Sequence, residues 1–90
     1  MTIVWKIVLS KQASTFLNQQ NAKMRARLDA ALGLLADDPR SGKMLAGDLK
    51  GYWSFRVGNY RIIYSIDNGK VWIEILRISH RKEVYERFRR

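Results

Sequence analysis

Apolar residues recur at every second position near the start of the chain. Ile3, Trp5, Ile7 and Leu9 follow this spacing, which is typical of a strand with one apolar face. Ser10 comes directly after them and has the side chain of a helix N-cap. The pattern therefore predicts an opening strand followed at once by a helix.

The spacing then becomes helical, and it is interrupted once by the polar residues 18–21. Two helices or one bent helix fit this interruption, and we favour a helical hairpin in which Asn21 caps the second helix. Asp37-Asp38-Pro39 ends that helix, because proline has no amide hydrogen and restricts the residue before it. The apolar positions of the two helices are Ala13, Phe16, Leu17, Met24, Leu28, Ala31, Leu32 and Leu35.

The period returns to two after a glycine-containing loop over residues 40–51, which we expect Met44, Leu45 and Leu49 to anchor. Gly58-Asn59 and Asn68-Gly69 have the composition of tight hairpin turns, so they predict a three-strand antiparallel meander from residue 52 to residue 78. A short basic helix or tail follows. The chain is thus predicted to be one α+β domain over residues 1–90, with strand-helix-helix-strand-strand-strand order and helices on one sheet face.

The two predicted turns decide which side chains face one another. A two-residue turn at Gly58-Asn59 places Arg56 opposite Arg61, and such a like-charged pair costs a few tenths of a kcal/mol to about 1 kcal/mol. We therefore expect an anion between them. The second turn pairs Ile62 with Ile75, and the same parity brings His80 to the end of the sheet where the two arginines lie.

This register divides the meander into a core face and an opposite face. The predicted core face holds Trp53, Phe55, Ile62, Tyr64, Ile66, Val71, Ile73 and Ile75. The predicted opposite face holds Ser54, Arg56, Arg61, Ile63, Ser65, Trp72, Glu74, Leu76 and Ile78.

The charge of the chain points to an anionic partner. Seventeen lysines and arginines against eight acids give a net charge of +9, which favours RNA, DNA or an acidic protein segment. With no cysteine and one histidine, we expect no metal site and no cofactor. The apolar stretch at the N-terminus is too short to span a membrane and lacks the pattern of a signal peptide, so we expect a cytoplasmic protein with no membrane partner.

The predicted cluster of arginines and histidine suits cleavage of an RNA strand without a metal. That reaction needs a base for the 2′-OH, cations for the phosphorane and an acid for the leaving 5′ oxygen. Arginine binds phosphate, histidine exchanges protons, and an aromatic residue such as Tyr85 stacks on an unpaired base. Arginine stays protonated, so the base is not assigned, and the same groups also serve a binder without catalysis.

Two segments carry a family resemblance, residues 45–64 (LAGDLKGYWSFRVGNYRIIY) and residues 78–85 (ISHRKEVY). They resemble the RelE/ParE toxin superfamily, and the likeness extends over nearly the whole chain. It implies a RelE-like fold and a toxin of a type II toxin-antitoxin system. In the RelE branch such a toxin cuts mRNA in the ribosomal A site and leaves a 2′,3′-cyclic phosphate and a 5′-OH.

The resemblance also implies roles for single residues. By position, Arg61 stabilises the scissile phosphate, and Arg56 stands where RelE has a lysine linked to activation of the 2′-OH. His80 or Arg81 protonates the leaving group, and Tyr85 engages the substrate base. Ser54 departs from the pattern, since RelE has a second lysine there. The residues expected to contact RNA beside this centre are Lys50, Ser54, Lys82 and Arg87.

The implied partners are the ribosome with its mRNA and an antitoxin that wraps the toxin with a helix and an extended segment. The charge of +9 independently predicts that this antitoxin is acidic and becomes ordered on binding. Two other functions remain open at this point. One is a ParE-like inhibitor of DNA gyrase, and the other is an inactive binding module with the same fold.

Overall fold

One five-stranded sheet and two helices make up the part of the chain described by the structure, a computed structural model that covers residues 3–80. The predicted C-terminal helix, and with it Arg81, Lys82, Tyr85 and Arg87, lies outside these residues. In chain order the elements are β1 (Lys6–Leu9), α1 (Lys11–Asn18), α2 (Ala22–Asp37), β2 (Lys43–Met44), β3 (Trp53–Val57), β4 (Tyr60–Asp67) and β5 (Trp72–His80), with single 3-10 turns at Pro39–Ser41 and Gly47–Leu49.

The helical hairpin is confirmed, together with both of its predicted caps. The Ser10 hydroxyl accepts a hydrogen bond from the Ala13 amide at 3.1 Å, and the Asn21 side chain accepts one from the Met24 amide at 2.8 Å. These bonds satisfy amides that have no partner inside the helices. Neither helix in residues 3–80 is long and apolar enough to cross a bilayer.

The sheet has the strand order β1-β5-β4-β3-β2, in which β1 runs parallel to β5 and every other pair is antiparallel. The sequence does not predict strand β2, because two residues are too few to show a period. The expectation that Met44 anchors this region is wrong, since its side chain is 61% exposed on the edge strand. Leu49 is buried as expected.

The core lies between the helices and one face of the sheet. Leu28 and Leu35 of α2 meet Ile62, Ile73 and Ile75 in a cluster of fully buried side chains. Burying a side chain of this size contributes about 1.5–3 kcal/mol, so this face orients the sheet against the helices.

The β3–β4 hairpin confirms the predicted register, with Val57 opposite Tyr60 and Arg56 opposite Arg61. Gly58 alone of the two turn residues has a positive φ, +59°. A glycine in that conformation at the first central position is the pattern of a type II′ turn, whose twist matches that of the strands.

The predicted register of the β4–β5 hairpin is wrong. Its connection spans residues 68–71 rather than two residues, and Tyr64 pairs with Ile75. The Asp67 carboxylate accepts a hydrogen bond from the Lys70 amide at 3.1 Å, which builds a wider turn than the Asn68-Gly69 composition suggests. Val71 consequently lies in this connection, exposed and with φ of +55°, and not on the core face.

A β-bulge at Leu76 shifts the pairing once more, so that Ile62 faces Ile78 and Tyr60 faces His80. Because one extra residue reverses the faces of all that follow, Ile78 lies in the core and not on the opposite face. The expectation that His80 shares a face with Arg56 and Arg61 is wrong for the same reason.

The start of α1 stabilises the bulge through side-chain bonds to β5. The Ser10 hydroxyl donates to the Leu76 carbonyl at 2.8 Å. The Gln12 amide group donates to the carbonyl of Ile78 at 2.8 Å and accepts from its amide at 2.9 Å. These bonds replace ladder bonds beyond the end of β1, where the backbone groups of β5 have no strand beside them in the described part of the chain.

Candidate functional site

The face of the sheet away from the helices, called the open face below, carries basic side chains from four strands. Lys43, Ser54, Ile63 and Arg77 form one cross-strand row from β2 to β5. Arg56, Arg61 and Ser79 form the next row. Directly opposed residues of an antiparallel sheet point to the same side, so Lys43 and the three arginines share this face.

A groove of about 320 Å³ opens on this face beside the β2 edge. It is called the basic groove below, and its lining residues are Ser41, Gly42, Lys43, Ser54, Phe55, Arg56 and Arg61.

The two arginines of the basic groove are each oriented by a hydrogen bond. Arg56 is exposed, and its Nε donates to the Gly58 carbonyl at 3.2 Å, which ties the side chain to the turn. Arg61 is half-buried, and its Nη1 donates to the Ser54 hydroxyl at 3.4 Å. Ser54 is buried at 2% exposure, so it acts as a fixed support below the Arg61 guanidinium.

A buried tyrosine holds the wall of the groove in place. The Tyr64 hydroxyl donates to the Pro39 carbonyl at 2.6 Å and accepts from the Gly42 amide at 3.1 Å. Burial raises the pKa of Tyr64 to about 12, although the Gly42 bond acts in the opposite direction. A Cβ at Gly42 would collide with the Tyr64 hydroxyl and lie 2.7 Å from the Ser54 carbonyl oxygen. Glycine is therefore required where the wall approaches β3.

Two of the predicted site residues within residues 3–80 lie away from the groove. The His80 ring contacts the Tyr60 ring, with centroids 6.0 Å apart, and the Tyr60 ring packs at 5.6 Å against Phe16 of α1. His80 thus lies on the helix side of the sheet. Lys50 is exposed just after the second 3-10 turn and is not among the groove-lining residues.

Two basic residues, Lys43 and Arg77, lie on the open face although the sequence does not predict them there. Lys43 arrives with the two-residue strand β2, for which no periodic signal exists in so short a run. Arg77 arrives because the bulge precedes it and turns it to the side of Ile63. In the sequence, only Ser10 and Gln12 relate to the position of Arg77, because their side chains form hydrogen bonds with the bulged strand 66 residues further along the chain.

The basic groove has the chemistry of a site for a phosphodiester. Guanidinium groups donate hydrogen bonds in a planar fork that matches phosphate oxygens. The groove lining contains neither carboxylate nor imidazole among the described residues. Within residues 3–80, no group of three His, Cys, Asp or Glu side chains is placed to hold a metal ion. The lining of the groove is thus better suited to binding an anion than to exchanging its protons.

Comparison with known proteins identifies the family. A model of the ParE toxin of the type II toxin-antitoxin system parDE matches residues 7–85. The chain belongs to the RelE/ParE toxin superfamily. It is therefore a toxin of a type II toxin-antitoxin system, as the resemblance of residues 45–64 and 78–85 implies.

Two curated relatives come from Mycobacterium tuberculosis. Toxin RelG is 40% identical over 65 residues, which cover 71% of this chain and 75% of RelG. Toxin RelE is 34% identical over 83 residues, which cover 90% of this chain and 86% of RelE.

Solved structures confirm the α+β, RelE-like fold. The toxin-antitoxin complex RelBE2 from M. tuberculosis contains a chain that superimposes with a TM-score of 0.78 at 31% identity, covering 90% of this toxin and 95% of that chain. The isolated E. coli RelE toxin superimposes with a TM-score of 0.72 at 18% identity, covering 93% of this toxin and 94% of RelE. At that identity the second comparison bears on the fold alone.

Proposed function

We propose that this toxin is a ribosome-dependent endoribonuclease that cuts mRNA in the A site and leaves a 2′,3′-cyclic phosphate and a 5′-OH. The observation that carries the proposal is the Arg56–Arg61 pair, which lies across a tight turn in the basic groove. Two guanidinium groups on directly opposed residues repel each other unless an anion lies between them. A phosphodiester supplies that anion.

In the proposed mechanism, Arg56 and Arg61 bind the non-bridging oxygens of the scissile phosphate. The 2′-OH gives its proton to a base outside the described groove lining. Attack of the 2′ oxygen on phosphorus then forms the cyclic ester through a phosphorane with increased negative charge, and the 5′ oxygen leaves with a proton from the general acid. Donors that are already oriented stabilise this charge without reorganisation, and one such donor is worth about 3–4 kcal/mol of the barrier. Ser54 and the Gly58 carbonyl provide that orientation.

Proton transfer is assigned to groups outside the groove lining. His80 and Arg81 are the candidates for protonating the leaving oxygen, and the contact of His80 with Tyr60 on the helix side favours Arg81. Tyr85 is proposed to stack on the substrate base. The described groove lining offers no base, so the reaction depends strongly on holding the 2′ oxygen in line with the scissile bond. We propose that the ribosome positions the RNA strand in this way.

The proposed partners are the ribosome with its mRNA, in the cytoplasm, and an acidic antitoxin. The antitoxin is supported by the RelBE2 complex, whose toxin chain is 31% identical to this one. It is supported as well by the charge of +9, since opposite charges accelerate association. Neutralisation then requires the antitoxin to cover or distort the basic groove.

A second candidate function is inhibition of DNA gyrase. It is favoured by one observation, that the matching family model is that of ParE toxins. Gyrase inhibition does not require Arg56 and Arg61 to bind a phosphate in the basic groove. It predicts chromosome breaks while mRNA stays intact.

The test is pulse expression of the toxin with mapping of mRNA 5′ ends, together with cleavage in a translating extract. We expect cuts in phase with codons, and a loss of about 100- to 1,000-fold in cleavage rate for Arg61→Ala, because one preorganised donor to the phosphorane is removed. Lys23→Ala, on the exposed side of α2, is the matched control and is expected to cleave like the wild type.

Two outcomes would contradict the proposal. One is cleavage at the wild-type rate by the double variant Arg56→Ala, Arg61→Ala, which would contradict the role of the two arginines at the scissile phosphate. The other is intact mRNA combined with broken chromosomes, which would establish the gyrase alternative.

A further inference from the structure

Arg77 extends the basic surface beyond the groove, past the central strand β4 and toward the β1 edge of the sheet. It pairs with Ile63 across β4–β5, and Ile63 pairs with Ser54 of the groove lining. Arg77 is thus a diagonal neighbour of Arg61, and the Cβ atoms of such neighbours lie somewhat less than about 7–8 Å apart. The cations Lys43, Arg56, Arg61 and Arg77 lie along a curved path across four strands, with neighbouring strands about 4.8 Å apart.

Two polar atoms next to Arg61 are buried and have no hydrogen-bond partner among residues 3–80. They are the Nε of Arg77 and the hydroxyl oxygen of Ser79, whose residue is only 4% exposed. A buried donor without an acceptor costs about 1–3 kcal/mol, and more when the group is charged. Both residues lie on the open face of the same strand, two positions apart, so the cost is concentrated in one place.

No carboxylate in the described chain offsets the charge of Arg77. The ion pair found within residues 3–80 joins Arg25 to Asp29 on α2, on the other side of the sheet. Glu74 shares the open face but is exposed and forms no ion pair with Arg77. An external anion is the simplest source of compensation.

We propose that Arg77 and Ser79 form a second phosphate subsite, which binds the backbone phosphate adjacent to the scissile one in single-stranded RNA. This inference rests on the proposed function of the basic groove and adds a second contact to it. A groove that follows the sugar-phosphate backbone binds successive phosphates through successive cations, and Arg77 is the next cation after Arg61 on this path. Both atoms are covered in this structure, so binding requires the Arg77 side chain to shift toward the phosphate before its guanidinium and the Ser79 hydroxyl gain acceptor oxygens.

The competing explanation is that Arg77 only packs. Its aliphatic stem lies beside the fully buried Ile63, and long basic side chains commonly cover apolar neighbours in this way. Arg77→Met separates the two roles, because methionine keeps an aliphatic stem and lacks the charge. Arg77→Lys keeps the charge and lacks the planar fork.

The experiment measures binding of the full-length toxin to a short RNA with a 2′-O-methyl group at the cleavage position, which prevents attack by the 2′ oxygen. In a second RNA, a neutral methylphosphonate replaces the phosphate adjacent to the scissile one. We expect Arg77→Met to weaken binding of the first RNA about tenfold, as for loss of a charge-assisted hydrogen bond. The slope of log Kd against log salt should fall by about 0.7.

The expected signature is non-additivity. Arg77→Met should leave binding of the methylphosphonate RNA unchanged, because the variant and the modified RNA remove the same contact. Arg77→Lys should keep the wild-type salt slope and recover part of the affinity. Lys23→Met, on the exposed side of α2, removes one charge elsewhere and should bind both RNAs like the wild type.

Three results would each overturn the second subsite. The Arg77→Met variant could bind RNA with wild-type affinity, or the losses of affinity caused by the variant and by the methylphosphonate could multiply. The third result is that the wild-type toxin binds neither RNA. These results are distinct from failure of the proposed function. If Arg61→Ala abolishes mRNA cleavage while Arg77→Met binds normally, the endoribonuclease stands and the subsite falls. If the wild-type toxin leaves mRNA intact in a translating extract, the endoribonuclease falls.

Discussion

The two hairpins that share β4 place their side chains by different means. The β3–β4 hairpin has a two-residue turn and an unbroken register, so each residue of β3 keeps the face that the turn gives it. The β4–β5 hairpin has a four-residue connection and a bulge at Leu76, and its faces reverse partway along β5. The regular hairpin sets the Arg56–Arg61 pair, whereas the bulged hairpin decides which residues of β5 surround it.

The open face depends on hydrogen bonds from residues far away in sequence. Ser10 and Gln12 bond the backbone of β5 at Leu76 and Ile78, and these bonds satisfy the backbone groups around the bulge. The same bulge directs Ile78 to the helices and Arg77 to the open face. The extra residue at the bulge therefore determines both which side chain of β5 packs against the helices and which one lies on the open face.

The largest expected effect comes from removing the core side chain that the bulge places. Ile78→Ala should lower the free energy of unfolding by about 3 kcal/mol, because it leaves a cavity beside fully buried neighbours. Urea denaturation followed by tryptophan fluorescence measures the change. Glu74→Ala, exposed on the open face of the same strand, is the matched control and should change stability by less than about 0.5 kcal/mol. Equal effects of the two variants would show that Ile78 does not face the helices.

The sequence predicts the parts of this molecule that depend on local chemistry. Ser10 and Asn21 bond amides three residues ahead, and Pro39 acts on its immediate neighbours, so both helices follow from short segments. The turn at Gly58-Asn59 likewise determines the register of the two strands that it joins, and this register places Arg56 opposite Arg61. Local composition is sufficient in these places because the stabilising partners lie within a few residues.

The β4–β5 hairpin resists prediction for the opposite reason. Asn68-Gly69 has the composition of a tight turn, but the Asp67 side chain and the left-handed Val71 produce a longer one. The bulge at Leu76 depends on Ser10, 66 residues away. Only the bulge moves residues between faces, because the longer turn shifts the pairing by two residues and keeps the side-chain parity. The bulge is thus why the sequence predicts His80 beside the arginines and leaves Arg77 away from them.

A smaller effect is expected from straining the regular turn. Gly58→Ala should lower the free energy of unfolding by about 1–2 kcal/mol, because an alanine at φ of +59° brings its Cβ against the backbone. The added Cβ also lies 3.0 Å from Nη2 of Arg27, a flexible chain end that can move. Thermal unfolding measures the loss.

Gly33→Ala is the control for that variant. Gly33 lies within α2, and a Cβ added there would meet no other part of the described chain within 4 Å, so alanine should stabilise the helix by up to about 1 kcal/mol. If both glycine variants changed stability in the same direction, the conformation of Gly58 would not be what holds the turn.

The smallest effect, and one of opposite sign, is expected in the wider connection. Val71 holds φ of +55°, a conformation that is unfavourable for a β-branched residue and well tolerated by asparagine. Its backbone carbonyl accepts a hydrogen bond from the Lys6 amide at 3.1 Å, and any side chain preserves that bond. Val71→Asn should therefore raise the free energy of unfolding by about 0.5–1 kcal/mol, after the loss of a partly exposed apolar side chain is deducted. Val71→Thr keeps the branch at Cβ and should show no gain, so a rise in both variants would attribute the effect to polarity and not to relief of backbone strain.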